Sequence, residues 1–245
     1  MIRKPYLSVI IPAYNEARRI PLTLVDIDKH LSKAKYPYEI LVVNDGSKDD
    51  TAQVVKRFEK MIPNLRLVDR EVNQGKGAVV RAGMLEAKGE YRLFMDADNS
   101  TSVDQFENMI PHLENGYDVV IGSRAHKDSK LTPPQGFLRQ VLGKGGNLII
   151  QLLVLPGIWD SQCGFKCFSQ AAAEKVFARQ RITGWGFDVE ILALAKKLGF
   201  KIKEIPVVWV NDTNSHVGAS AYIQVLIETM RIRWWLWRDV YGIKI

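Results

Sequence analysis

The stretch YRLFMDADNS, Tyr91–Ser100, decides how the rest of the chain is read. An apolar run, Leu93-Phe94-Met95, passes straight into two carboxylates, Asp96 and Asp98, one residue apart. So short and apolar a run reads as an interior strand. Bare negative charge at the end of such a strand needs a reason. If strand geometry persists, the i and i+2 carboxylates point the same way and repel one another. A hard divalent cation resolves that. Mg²⁺ or Mn²⁺ takes one or two carboxylates and shares its remaining positions with phosphate oxygens and water. The competing reading is a cap: Asn99, Ser100 or Ser102 can open the next helix, and Asp98 can join them.

Similar runs precede this one. LSVIIP (Leu7–Pro12), EILVVND (Glu39–Asp45) and LRLVD (Leu65–Asp69) read as strands. Helical patterns separate them, after Pro21, from Asp49-Asp50 to about Met61, and from about Lys76 to Ala87. The alternation predicts an α/β fold, a mostly parallel sheet with helices on both faces. Such sheets bind ligands beyond the carboxyl ends of their strands. Three polar clusters follow strand ends: Pro12-Ala13-Tyr14-Asn15-Glu16, Asn44-Asp45-Gly46-Ser47 and Asp96-Ala97-Asp98. They are expected to converge, although NDGS alone is also good turn chemistry. NQGKGAVVRAG (Asn73–Gly83) places glycines around Lys76 at a loop entering a helix, an arrangement that favours anions but lacks P-loop spacing.

The second half is less regular. Tyr117–Arg124, Asp160–Phe168 and Ile202–Val210 read as strands, the last continuous. Lys127–Gln135, with two prolines, reads as a mobile loop, and a helical segment starts near Phe137. Gly184–Gly199 reads as a loop entering an amphipathic helix, where Asp188 is a general base, a substrate contact or an N-cap.

The 245 residues suit one large domain, taken as 1–215, with an appended helix over 216–245. The net charge of +7 and pI near 9.3 suit anionic lipid or phosphorylated small molecules. Nucleic acid is not expected, because the cations form neither a clustered helix nor an aromatic platform. Cys163 and Cys167 are too few for a disulfide framework. They read as buried thiols of a reducing compartment, on one helix face if the segment is helical. MIRKPYLSVIIP reads as a first strand rather than a signal peptide, and no apolar run has the length of a membrane span. In the tail, Ile223, Ile227, Met230, Trp234, Trp237 and Tyr241 fall on one helical stripe interrupted by arginines. That composition fits a helix lying in a membrane interface, or one packed on its own domain or a second subunit of a homo-oligomer.

The ordered motifs VIIPAYNE, VVNDGSKDDT, NQGKGAV, MDADNST, VIGSR, QCGFKCF and GFDVEIL, within about residues 7 to 210, resemble the GT-A-fold glycosyltransferases of family two. The resemblance is strongest to the polyprenyl-phosphate sugar synthases, and QCGFK and FDVE look most like the dolichyl-phosphate glucosyltransferase group. It implies a metal-dependent, inverting transfer of a hexose, glucose from UDP-glucose, to a polyprenyl or dolichyl phosphate, the donor being a nucleotide diphosphate sugar of the UDP-glucose or GDP-mannose type. The setting implied is the cytoplasmic face of a membrane, with peripheral association. Pro12, Tyr14 and Glu16 would line the nucleotide pocket, with Asp45 facing the base. Asp96, Ala97 and Asp98 would serve the ribose and the metal-bound diphosphate, alongside Lys76. Arg124 and Arg139 match basic residues that handle phosphate. Gly184, Trp185 and Asp188 would shape the sugar and acceptor site. Asn211-Asp212 stand where relatives carry a cation, and Ser215-His216 where they carry Ser-Lys, which makes His216 a candidate phosphate contact. Two alternatives stand beside this reading: a hydroxyl acceptor with Asp188 as base, and a sugar-nucleotide-binding protein without turnover.

Overall fold

The computed structural model describes residues 4–133, 137–210 and 219–243. Four parallel strands, β1 (Leu7–Ala13), β2 (Tyr38–Asp45), β3 (Leu65–Arg70) and β4 (Tyr91–Met95), pair in the order β3-β2-β1-β4. The central strands are covered on both faces, hence runs such as Val9-Ile10-Ile11, all 0% exposed. The sheet continues through β7 (Phe165–Ser169), β5 (Val119–Ser123) and β8 (Ile202–Pro206). β7 runs antiparallel to both β4 and β5, and β8 parallel to β5. The reversal brings the start of β7, not its end, to the carboxyl end of β4, with Met95 opposite Phe165.

Alternation of side chains divides the core in two. Val9, Ile11, Val42, Leu93 and Met95 face the layer of α1 (Ile20–Leu31), α2 (Thr51–Glu59) and α4 (Ile110–Glu114). Ile10, Leu41, Val43 and Phe94 face the layer containing α3 (Lys76–Glu86), α6 (Gln170–Arg179) and α7 (Phe187–Lys197). Every residue of α7 from Phe187 to Ala195 is buried. The helix is apolar nearly all round and keeps its charges for its ends: Asp188 and Glu190 in the first turn, Lys196 and Lys197 in the last, both favourable to the helix dipole.

Two expectations change. Ile202–Val210 is not one strand. Pro206 has no N–H to continue the ladder, and Val208–Val210 leaves as a separate strand, β9. It pairs in parallel with β6 (Lys130–Thr132), so the stretch expected as a loop holds a strand. The main-chain N–H of Val210 also donates to the Ser100 carbonyl at 2.8 Å, tying β9 to the segment after Asp98. Cys163 precedes β7 and Cys167 lies within it, so the two do not share a helix face. Both are 0% exposed, and burial pushes their thiols upward, Cys163 to about 12. Native protein should therefore react with Ellman's reagent at pH 8 at least about 100-fold more slowly than the unfolded chain, which should release two thiols. A fast native burst would contradict this packing.

The C-terminal helix α8 (Ala219–Trp237) packs against α5 (Phe137–Leu153) and α7, with Val225 and Ile232 entering the core. The expected stripe turns outward: Ile223, Ile227, Met230, Trp234 and Trp237 are 49–71% exposed. Tyr241 does not belong to it. The helix ends at Trp237, and the chain folds back to bury Tyr241, whose hydroxyl donates to Glu190 Oε1 at 2.7 Å. Leu148, Ile149 and Leu152 of α5 add further exposed apolar surface. No helix among the described residues is long and apolar enough to cross a membrane.

Candidate active site

The three acidic clusters do converge. A cavity of about 710 Å³ opens at the carboxyl ends of β1, β2 and β4, lined by Pro12, Tyr14, Glu16, Asp45, Asp96 and Asp98, among others. Ala97, Lys76, Gly184 and Trp185, also expected there, complete its other walls.

The loops that carry these residues brace one another. The Asn15 N–H donates to Ser47 Oγ at 2.9 Å, the Lys48 N–H to Asn15 Oδ1 at 2.8 Å, and the Glu16 N–H to Thr51 Oγ1 at 2.8 Å. Asn15 sits at φ 56°, a region that asparagine tolerates better than most residues. The Glu16 carboxylate meets Arg19, one turn on, at 2.5 Å. Asp45 is 3% exposed and accepts the main-chain N–H groups of Gln74 and Gly75, each at 2.9 Å. Its carboxylate thus fixes the glycine loop that leads to Lys76.

Asp96 and Asp98 stand just past β4, which ends at Met95. The Asp96 N–H donates to the Gly164 carbonyl at 3.2 Å, and a Cβ at Gly164 would lie 2.0 Å from Asp96 Oδ2. Gly164 is therefore needed for the Asp96 carboxylate to lie where it does. Lys76 Nζ sits 2.7 Å from Asp96 Oδ1 and 5.6 Å from the centroid of the Trp185 ring. Burial alone would lower the Lys76 ammonium, but Asp96, Asp188 and Asp98 outweigh it and hold it above its ordinary value. Asp98 Oδ1 accepts the Ser100 N–H at 2.9 Å, a local turn bond and not a helix cap: the next helical turn starts at Val103 with Ser102 at its N-cap and no side-chain cap bond. Desolvation first, and then the charge of Asp96, raise the Asp98 carboxyl above the usual range. Two hard carboxylates carry negative charge that Lys76 only partly compensates. No group of three or more His, Cys, Asp or Glu that could hold a metal exists among the described residues. The two-carboxylate pair Asp96 and Asp98 has the chemistry of a Mg²⁺ or Mn²⁺ site whose remaining positions go to phosphate oxygens and water.

Two candidates lie elsewhere. Arg124 is engaged by Asp160: Nε to Oδ2 at 2.7 Å, Nη2 to Oδ1 at 2.8 Å, and its main-chain N–H to Oδ2 at 2.8 Å. Its guanidinium also lies 4.9 Å from the Trp209 ring centroid. Asp188, 4% exposed, does not line the cavity and is not a cap, since Gly186 holds the N-cap position of α7. Its Oδ1 accepts from Lys166 Nζ, 0% exposed, which also donates to the Cys163 carbonyl at 2.6 Å. Burial raises the Asp188 carboxyl, and Lys166 and Lys76 oppose that shift. Arg139 lies on α5, but its side chain is outside the described residues, as are Asn211, Asp212, Ser215 and His216. Reading the sequence missed Arg19, Asn73 and Gln224 on the cavity wall, and Asp160 and Lys166, the partners of Arg124 and Asp188. Lys166 stood in plain view within QCGFKCF, where a charge inside an apolar strand needs a buried partner.

Chains of known structure share this architecture. Glucosyl-3-phosphoglycerate synthase from Mycobacterium tuberculosis, solved with Mn²⁺, UDP and glucosyl-3-phosphoglycerate, superposes with a TM-score of 0.66 at 20% identity, covering 94% of this chain and 80% of that one. A mannosyltransferase from Pyrobaculum calidifontis, solved with GDP-mannose and Mn²⁺, gives 0.64 at 22% identity, covering 94% and 64%. The fold is that of the GT-A glycosyltransferases. Residues 8–177 match the family described as Glycosyl transferase family 2. The dolichyl-phosphate beta-glucosyltransferase of Dictyostelium discoideum is 40% identical over 252 residues, 98% of this chain and 77% of that protein. The enzyme of the same name from Saccharomyces cerevisiae is 37% identical over 223 residues, 83% and 66%. The chain belongs to glycosyl transferase family 2 and is a glycosyltransferase.

Proposed function

We propose that the protein transfers glucose from UDP-glucose to a polyprenyl or dolichyl phosphate, with inversion, at the cytoplasmic face of a membrane. The observation that carries this reading is the meeting of Tyr14, Asp45, Asp96 and Asp98 in one cavity of about 710 Å³, large enough for a nucleotide sugar. The relatives named for this reaction supply the sugar and the acceptor.

In this reading the nucleoside lies against Pro12, Tyr14 and Glu16, and the diphosphate lies toward Asp96 and Asp98. Asp96 and Asp98 would hold Mg²⁺ or Mn²⁺, which when bound would neutralise charge on the leaving diphosphate. Lys76 adds a fixed positive charge beside Asp96. An acceptor phosphate oxygen is already an anion, so it needs desolvation and positioning rather than a strong base. Arg124, oriented by Asp160, and Arg139 are suited to grip that phosphate. The burial of Asp188 against Lys166 argues against its serving as base for a hydroxyl acceptor.

The outward stripe of α8 fits insertion at a lipid interface, where tryptophans settle at headgroup depth. Replacing Trp234 and Trp237 together by glutamate is expected to lower co-sedimentation with anionic lipid vesicles by at least about tenfold. Circular dichroism should remain unchanged, because both side chains are exposed. Unchanged sedimentation would assign the stripe to another surface. The decisive experiment incubates the protein with a panel of nucleotide sugars, a short polyprenyl phosphate and Mn²⁺ or Mg²⁺, read by mass spectrometry. A hexosyl lipid formed from UDP-glucose is the expected product. Failure of every donor to give a glycolipid would sink the reading.

A further inference from the structure

The inner side of α8 reaches the cavity. Glu228 is only 8% exposed, and its two oxygens serve different partners. Oε2 accepts the main-chain N–H of Gly186 at 2.6 Å, and Oε1 accepts Gln224 Nε2 at 3.0 Å. The loop of Gly184, Trp185 and Gly186 is pressed against this pair. A Cβ at Gly184 would lie 2.2 Å from Gln224 Nε2, so a side chain there would push the Gln224 amide aside. Gln224 lines the cavity beside Gly184 and Trp185. Trp185 is next to Lys76, and Lys76 holds Asp96, so Gln224 belongs to the Lys76–Asp96 side of the cavity. Tyr14 and Asp45 mark the other side, at the ends of β1 and β2.

Resting on the nucleotide-sugar reading above, we infer that Gln224 contacts the hexose of the donor and that Glu228 is its positioning residue. A primary amide has two N–H donors and a carbonyl acceptor. Glu228 takes one N–H and fixes the amide plane, leaving the second N–H and the carbonyl for adjacent hydroxyls of a pyranose. Holding the side chain in advance reduces the entropy lost when the sugar binds. The aromatic surface of Trp185 alongside suits the C–H face of a sugar ring. Neither Gln224 nor Glu228 falls within the family match, which ends at residue 177.

The test is calorimetry with Mn²⁺ and four ligands: UDP, UDP-glucose, GDP and GDP-mannose. Gln224 is exposed at the cavity, and Gln224→Ala is expected to fold. It should weaken binding of the preferred nucleotide sugar by about tenfold or more while leaving the matching nucleotide within about twofold, the loss of one or two hydrogen bonds to sugar alone. Glu228→Gln keeps an acceptor for the Gly186 N–H but loses the one for Gln224 Nε2, so in transfer assays it and Glu228→Ala should both raise the KM for donor about tenfold with little change in kcat. Equal losses for nucleotide and nucleotide sugar, or no loss for Gln224→Ala, would overturn the inference while the donor reading stood. Failure of the wild type to bind any of the four ligands would overturn the donor reading, and the inference with it.

Discussion

Asp98→Asn is expected to reduce glycosyl transfer by about a thousandfold or more while leaving the fold intact. The size follows from the role proposed for it: a metal-side carboxylate would hold the ion that offsets charge developing on the leaving group, an effect of several kcal/mol. The fold is spared because an asparagine Oδ1 can still accept the Ser100 N–H. Stability should not fall either. Asp98 has a folded-state pKa above its unfolded value, so its ionised form opposes folding near neutral pH; that penalty shrinks as pH falls through the folded value and is gone below the unfolded one. A neutral amide removes the penalty at every pH. The expected result is therefore an inactive variant whose Tm matches or slightly exceeds wild type. Mn²⁺ titration by electron paramagnetic resonance should show weakened binding. Full activity with normal Mn²⁺ affinity would remove Asp98 from the metal side of the site.

Lys166→Met should have the largest effect on stability, about 3–5 kcal/mol, because it strips the partner from a buried carboxylate. Lys166 is fully buried and Asp188 nearly so, and no water shell is available to take over the charge. The double variant Lys166→Met with Asp188→Leu should recover much of the loss, since replacing a buried pair by apolar groups is far cheaper than halving it. Chemical denaturation of the wild type and the three variants measures both effects. If Lys166→Met costs under about 1 kcal/mol, the pair is not buried in solution as it is here. If Asp188→Leu alone destroys activity without loss of stability, the carboxylate acts in the chemistry and not in the frame.

Most of the first half was legible before the structure. Strands covered on both faces must be continuously apolar, and continuous runs such as Leu41-Val42-Val43 are hard to miss. The rule that ligands gather at carboxyl ends of parallel strands then placed Tyr14, Asp45, Asp96 and Asp98 together. The second half obeys no such rule. The direction of β7 is a tertiary choice, invisible in a stretch of five residues. β6 is three residues long, and its partner β9 lies far away in sequence, so neither announces itself. What the sequence did not show at the site has one cause. Asp188 and Arg124 each have a partner, Lys166 or Asp160, distant in sequence. A charge can be read from sequence, but not what neutralises it. Gln224 illustrates the converse: a polar residue on an amphipathic helix looks like solvent-facing surface until the helix is docked.

The antiparallel insertion of β7 has a consequence for the order in which this molecule matures. Asp96 owes its placement to Gly164, just before a strand that pairs with β4 only after some seventy residues more have been made. A chain emerging from the ribosome carries both aspartates as soon as β4 is out, yet the pocket that makes them useful waits for β7 to slot between β4 and β5. On the proposed function, half-folded intermediates should bind neither Mn²⁺ nor a nucleotide sugar. Competence arrives together with the closed sheet.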